Sequence, residues 1–174
     1  MLNCENTSVI CIDLQEKLVN MLPNSDFVAQ NATKIMKAAH ILNIDTLITQ
    51  QYPKGLGSTI EPINAITSFN SLEKTTFSAL QTPEFNHELK KNIVIFGIET
   101  HICVYQTVLD LLKEGHNVYV VADCCGSRSE LNYKTALDLM KQFGAKITTL
   151  EIVLFELLKS SKHENFKEIQ SLIK

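Results

Sequence analysis

No tryptophan occurs in this sequence, and glycine and proline are scarce, at six and four in 174 residues. That scarcity excludes collagen-like and Pro/Gly-rich low-complexity architectures. No apolar run approaches the ~18 residues that a membrane-spanning helix needs. Basic and acidic residues number 16 and 19, for a net charge of −3, so the electrostatic footprint of a nucleic-acid or membrane-surface binder is missing. The five cysteines are odd in number and show no paired metal-binding spacing. The opening residues, Met1-Leu-Asn-Cys-Glu-Asn6, lack a basic segment followed by an apolar one, and Glu5 and Asp13 count against a transit peptide. A reducing compartment, the cytoplasm, is therefore expected.

What is present fits one globular domain over residues 1–174. Hydrophobic residues make up 45% of the chain and charged residues 20%, enough to bury a proper core. Short apolar strands are predicted at Ser8–Ile12, Thr46–Thr49, within Ser68–Lys74, Asn92–Phe96, Asn117–Ala122 and Ala145–Thr148. Helices are predicted over about Phe27–Leu42, Glu84–Lys90, His101–Glu114 (closed by Gly115) and from a Ser127–Glu130 capping box to about Phe143 (closed by Gly144). Two helical segments follow. Strands alternating with amphipathic helices predict an α/β three-layer sandwich, with a mostly parallel, roughly six-stranded sheet flanked by helices.

In such a fold every strand ends on one rim, where open α/β sheets bind ligands. Asp13, Gln50 and Gln51, Lys74, the Gly97–Cys103 turn and Asp123 all fall at predicted strand ends. Cys103 lies where a buried strand passes into a helix. Unsatisfied N–H groups and partial positive charge there would lower the pKa of a thiol and could hold an oxyanion. A cysteine nucleophile also needs a proton acceptor and a charge partner. Asp13 and Lys74 are chemically suited to those tasks.

The residues Gly97-Ile-Glu-Thr-His-Ile-Cys-Val104 resemble the Gly-x-x-Thr-x-x-Cys-Val signature of the isochorismatase-like cysteine hydrolases, a superfamily that includes nicotinamidase and N-carbamoylsarcosine amidohydrolase. Val9-Ile-Cys-Ile-Asp13 is similar to that family's first strand with its aspartate, and Lys74-Thr-Thr-Phe-Ser78 to its Lys-x-x-Phe/Tyr-Ser segment. With Val118–Asp123, Ser127–Ser129, Leu154–Leu158 and Gln51-Tyr-Pro-Lys-Gly-Leu-Gly57, the resemblance covers nearly the whole chain and is nearest to the isochorismatase domain-containing subgroup.

The resemblance implies a hydrolase of small amides or related C–N substrates, with Cys103 as nucleophile, Asp13 as proton shuttle and Lys74 as electrostatic support. It also implies a cis peptide at Ile98–Glu99, with the N–H groups of Glu99 and Cys103 facing the oxyanion. Gln51, Tyr52, Phe77 and Thr100 become candidate substrate contacts. Nicotinamidases bind a metal through Asp-x-His after the second strand. Here that place reads Gln51-Tyr-Pro53, so neither a metal nor any other cofactor is expected. Isochorismatase proper lacks the cysteine, so its vinyl-ether hydrolysis is not expected either.

The family's habit of assembly implies a homo-oligomer, dimer or tetramer, with Ile152–Leu158 either at an interface or within the monomer. Glu99 is expected to face solvent or a partner subunit. His101 is expected to be a residue of the first helical turn, Arg128 a tie between rim loops, and Cys124 and Cys125 buried thiols. A binding or scaffold protein with weak turnover, or a thiol sensor working through Cys103, are the rival expectations.

Overall fold

In the computed structural model, which describes residues 1–66 and 69–174, six strands form one sheet: β1 (Thr7–Ile12), β2 (Asp45–Gln51), β3 (Asn70–Lys74), β4 (Asn92–Ile98), β5 (Asn117–Gly126) and β6 (Lys146–Thr148). Their spatial order is β3-β2-β1-β4-β5-β6, and every pairing is parallel. β1 and β4, at the centre, are buried along their whole length. Their near-continuous apolar sequences reflect that position, because a parallel strand covered on both faces has no polar side to show. β3, at the edge, alternates between exposed and buried residues towards its end.

The long helices are α1 (Ser25–Ile41), α2 (Tyr105–Lys113), α3 (Glu130–Gln142), α4 (Leu150–Leu158) and α5 (Phe166–Leu172). α1 packs with α4 and α5, and α2 with α3, which gives a helical layer on each face of the sheet. Val28, Ala32, Ile35, Met36 and Ala39 form the buried stripe of α1, at the spacing that marks one helical face. Phe96, Ile10, Ile12, Ile93 and Ile95 are fully buried in the sheet. Each such side chain contributes roughly 1.5–3 kcal/mol of burial free energy. Within α4, Leu150, Val153, Leu154, Leu157 and Leu158 are buried, while Ile152 and Phe155 remain exposed. The monomer therefore takes most of the segment's apolar surface. Among the described residues, no helix is long and apolar enough to cross a membrane.

Three expectations are corrected. Glu84–Lys90 is not a helix. It follows Pro83 as an irregular strap, held where His87 meets Asp45 (3.0 Å) and the Lys90 amide donates to Ser8 Oγ (3.0 Å). The cap of α3 is Ser129, whose Oγ accepts from the Asn132 amide, two residues later than the capping box implied, because Ser127 is engaged elsewhere. β5 runs on to Gly126, so Asp123 lies inside a strand, and its Oδ1 accepts from the Leu150 amide at the start of α4 (2.8 Å). Asp123 caps a helix and takes no part in the site. Of the predicted third strand, Ser68 lies outside the described residues.

The winding reverses between β1 and β4, the switch point at which parallel sheets open a crevice. Gly97 pairs with Ile12 there. Its φ is +133°, and an added Cβ would lie 2.0 Å from the Ile12 carbonyl oxygen. Only glycine lets the two central strands run this close up to the rim.

Candidate active site

Asp13 is the first residue beyond β1, with φ +48°, a left-handed conformation that aspartate tolerates better than most residues. Its backbone and carboxylate are both anchored to β2. The Asp13 amide donates to the Thr49 carbonyl (3.2 Å), and Thr49 Oγ1 donates to Asp13 Oδ1 (2.6 Å). Oδ2 faces Lys74 Nζ at 2.7 Å, and neither side chain has any exposed surface. The ammonium also faces Gln51 Oε1 (2.6 Å), the Phe77 carbonyl (3.1 Å) and the Thr76 carbonyl (3.2 Å). One carboxylate and three neutral oxygens thus surround a group with three protons to donate. A buried cation is tolerated only with partners of this quality.

Cys103 lies in a wide π-helical turn, Thr100–Val104, that joins β4 to α2. The Ile98–Glu99 peptide before it is cis. The Cys103 residue is 6% exposed. Burial pushes its pKa up to about 12, the Asp13 charge adds to the rise, and Lys74 opposes it. This corrects the expectation of a lowered pKa. The partial charge at a helix start does not offset desolvation at a nearly inaccessible sulfur. Cys103 therefore rests as a thiol, with Asp13 and Lys74 as the charged groups that act on it. Attack on a carbon centre from this state would need proton transfer to a base.

The remaining predicted residues take more varied places. Gln51 is a partner of Lys74: its Oε1 accepts from Nζ, and its Nε2 donates to the Thr75 carbonyl (3.0 Å). Tyr52 is 55% exposed, and its ring lies against Gly55, where a Cβ would come within 2.5 Å of it. The Tyr52 ring shapes the loop. Phe77 is also half exposed, and its carbonyl accepts from Lys74 Nζ. Thr100 is fully buried, with its hydroxyl donated to the Gly126 carbonyl (2.9 Å), so it fastens the turn to β5. Ile98 is core.

Glu99 is buried, against the expectation of exposure. Its Oε1 accepts from both the Arg128 amide and Arg128 Nε, each at 3.0 Å. The carboxylate is drawn inward because Arg128 offers two donors at once, and Arg128 does tie two rim segments together. His101 Nδ1 meets Ser127 Oγ at 3.0 Å. Cys124 and Cys125 are buried free thiols. Burial raises the pKa of both, that of Cys125 to about 12.

Two contributors escaped sequence reasoning. Thr49 orients Asp13, and its only signal is a hydroxyl inside an apolar strand. Thr107 Oγ1 donates to the Cys103 carbonyl (2.7 Å) and accepts from the Ala79 amide (3.1 Å), joining the Lys74 loop to the cysteine turn. Its position four residues after Cys103 suits a side chain that bonds back along a helix.

A groove of about 860 Å³ runs along the free edge of β3 and reaches Tyr52 and Lys74, but neither Asp13 nor Cys103 lines it. Among the described residues, no three His, Cys, Asp or Glu side chains group as metal ligands.

Residues 7–152 match the isochorismatase domain model. Isochorismatase domain-containing protein 2 of Xenopus laevis is 42% identical over 175 residues, spanning 97% of this chain and 84% of its own. Among solved structures, the MAR1 ribonuclease of Caenorhabditis elegans superposes with a TM-score of 0.94 at 38% identity, covering 99% of this chain and 91% of that one. The YcaC gene product of Escherichia coli, described as an octameric hydrolase of unknown specificity, superposes with a TM-score of 0.92 over 99% of this chain and 88% of its own. At 23% identity it speaks to the fold alone.

Proposed function

Because the chain belongs to the isochorismatase family, we propose that it is a cysteine hydrolase acting on a small amide or related C–N substrate. The observation that supports this reading is the buried Asp13–Lys74 pair, 2.7 Å apart, close enough to the buried Cys103 to perturb its thiol.

In the proposed sequence, Asp13 takes the Cys103 proton as the sulfur bonds to the substrate carbonyl carbon. The backbone N–H groups of Glu99 and Cys103 stabilise the oxyanion, and Lys74 keeps the pocket electrically balanced throughout. The C–N bond breaks as Asp13 returns that proton to the leaving amine, which leaves a thioester on Cys103. Water then gives a proton to Asp13 and its oxygen to the acyl carbon, and the proton passes back to the thiolate as the acid departs.

Gln51 enters this scheme as a neutral acceptor that fixes the Lys74 ammonium, at the place where nicotinamidases carry a metal ligand. The scheme calls on no metal or other cofactor. Five free thiols suit a reducing compartment, here the cytoplasm. Self-association as a dimer or tetramer belongs to the same reading. It is supported by exposed Leu131 and Leu139 on α3, Phe143 at its C-terminal end, and Ile152 and Phe155 on α4, side chains that a partner surface would cover.

RNA cleavage, the activity in the names of three structural relatives, draws less support. The net charge of −3 and the 6% exposure of Cys103 do not suit a polyanion. The test is an ammonia-release screen over small amides and ureides, with a labelled RNA included and Cys103→Ala as blank. Ammonia released only by the intact protein is expected. RNA cleavage without amide turnover would replace the proposal.

A further inference from the structure

Among the described residues, two buried side-chain polar atoms have no hydrogen-bond partner, Thr59 Oγ1 and Ser78 Oγ. Thr59 sits in the short antiparallel bridge with Gln15, and no hydrogen bond links it to Lys74 or Cys103. Ser78 is placed differently. It is 3% exposed, and both chain neighbours are fastened to the site. The Phe77 carbonyl accepts from Lys74 Nζ (3.1 Å). The Ala79 amide donates to Thr107 Oγ1, which in turn donates to the Cys103 carbonyl. The Ser78 carbonyl is itself occupied by Thr76 Oγ1 (2.8 Å). The carbonyls of Phe77 and Ser78 and the amide of Ala79 are thus engaged, while the Ser78 hydroxyl has no partner, on the loop between Lys74 and the contact to the cysteine turn.

A buried hydroxyl without a partner has lost its hydration for nothing in return, and alanine there would remove that cost with almost no change in shape. Groups kept in that condition mark places where stability gives way to a later interaction. We infer that the Ser78 hydroxyl is a substrate-binding donor, which hydrogen-bonds the carbonyl oxygen or amide group of the compound that reaches Cys103. The inference rests on the hydrolase reading and deepens it. A substrate that satisfies Ser78 must carry a hydrogen-bond acceptor beside the scissile carbon, as amides and ureides do and simple thiol-reactive compounds do not.

The test needs no known substrate. Cys103 modification is followed by mass spectrometry with two alkylating reagents, iodoacetamide, which carries an amide beside the reacting carbon, and iodoethane, which carries no carbonyl, amide or other oxygen or nitrogen acceptor. Thermal unfolding is recorded alongside. Ser78→Ala is expected to slow the iodoacetamide reaction at Cys103 by about tenfold, the equivalent of one hydrogen bond, and to hold the other rate within about twofold. Its melting temperature is expected to equal or exceed that of the wild type. A lower melting temperature would overturn the inference, because the hydroxyl would then have a partner in the free protein. An equal response to both reagents would overturn it too. Neither result touches the hydrolase reading, which fails instead if Cys103→Ala still releases ammonia from amides.

Discussion

Asp13→Asn separates charge from shape at the centre of the site. Asparagine is nearly isosteric with aspartate and accepts left-handed backbone at least as readily, so φ +48° is not an obstacle. Its amide can still accept from Thr49 Oγ1. What disappears is the one anion facing Lys74, whose other partners, Gln51 Oε1 and the Thr76 and Phe77 carbonyls, are all neutral. Both members of the pair have no exposed surface, and removing one partner of a buried ion pair costs about 3–5 kcal/mol. For a chain of this length each kcal/mol corresponds to ~2–4 °C, so the melting temperature should fall by roughly 6–20 °C.

Turnover should fall further than stability explains. Loss of the proton acceptor removes a factor of roughly 10²–10⁴, read at a temperature well below the variant's own transition. The assays are thermal unfolding by circular dichroism and ammonia release on the best compound of the screen. A variant as stable as wild type would show that Lys74 does not depend on Asp13. A stable variant with full turnover would remove Asp13 from the mechanism.

Three other outcomes follow from the same geometry. Because burial, aided by the Asp13 charge, raises the Cys103 pKa to about 12, its iodoacetamide labelling rate should climb steadily with pH from 7 to about 10; a plateau below pH 8 would reveal a preformed thiolate. The buried thiols Cys11, Cys103, Cys124 and Cys125 all have raised pKa values, from an ordinary 9.0 in the unfolded chain. The unfolded state then binds fewer protons above pH 9, so stability is complete below that value and falls as pH rises towards 12, by up to about 1.4 kcal/mol per pH unit for each thiol; urea midpoints flat from pH 8 to 11 would contradict this. Gly97→Ala places a Cβ 2.0 Å from the Ile12 oxygen, so β1 and β4 must part, and the soluble yield should collapse where a control at open Gly115 (to Asn) keeps it.

The parallel sheet was legible because its strands differ so sharply from its helices. Asn92–Phe96 and Ser8–Ile12 are apolar on both faces, and Phe27–Leu42 repeats at helical spacing. Cys103, Asp13 and Lys74 were legible because strand ends share one rim in this topology, and the three motifs around them occur in order. Other features depend on contacts between distant residues. The strap at Glu84–Lys90 has helix-compatible composition, yet it is fixed by Ser8 and Asp45 from other strands. Glu99 looks like a surface charge until Arg128 arrives from 29 residues away. Gln51 invited a substrate role because its rim position was visible and its bond to Lys74 was not. The direction of the Cys103 shift was missed for a similar reason. Local sequence reveals a helix start, whereas desolvation is a property of everything packed above it.

The hydrolase reading requires Cys103 to carry the acyl group during turnover. Its most direct test is acid quenching during turnover of an amide found in the screen, followed by intact-protein and peptide mass spectrometry. The predicted result is a mass increase equal to the acyl fragment, located on the peptide containing Cys103, lost on alkaline hydroxylamine treatment and missing in Cys103→Ala. Turnover that persists in Cys103→Ala, or an adduct on another cysteine with Cys103 unmodified, would contradict it.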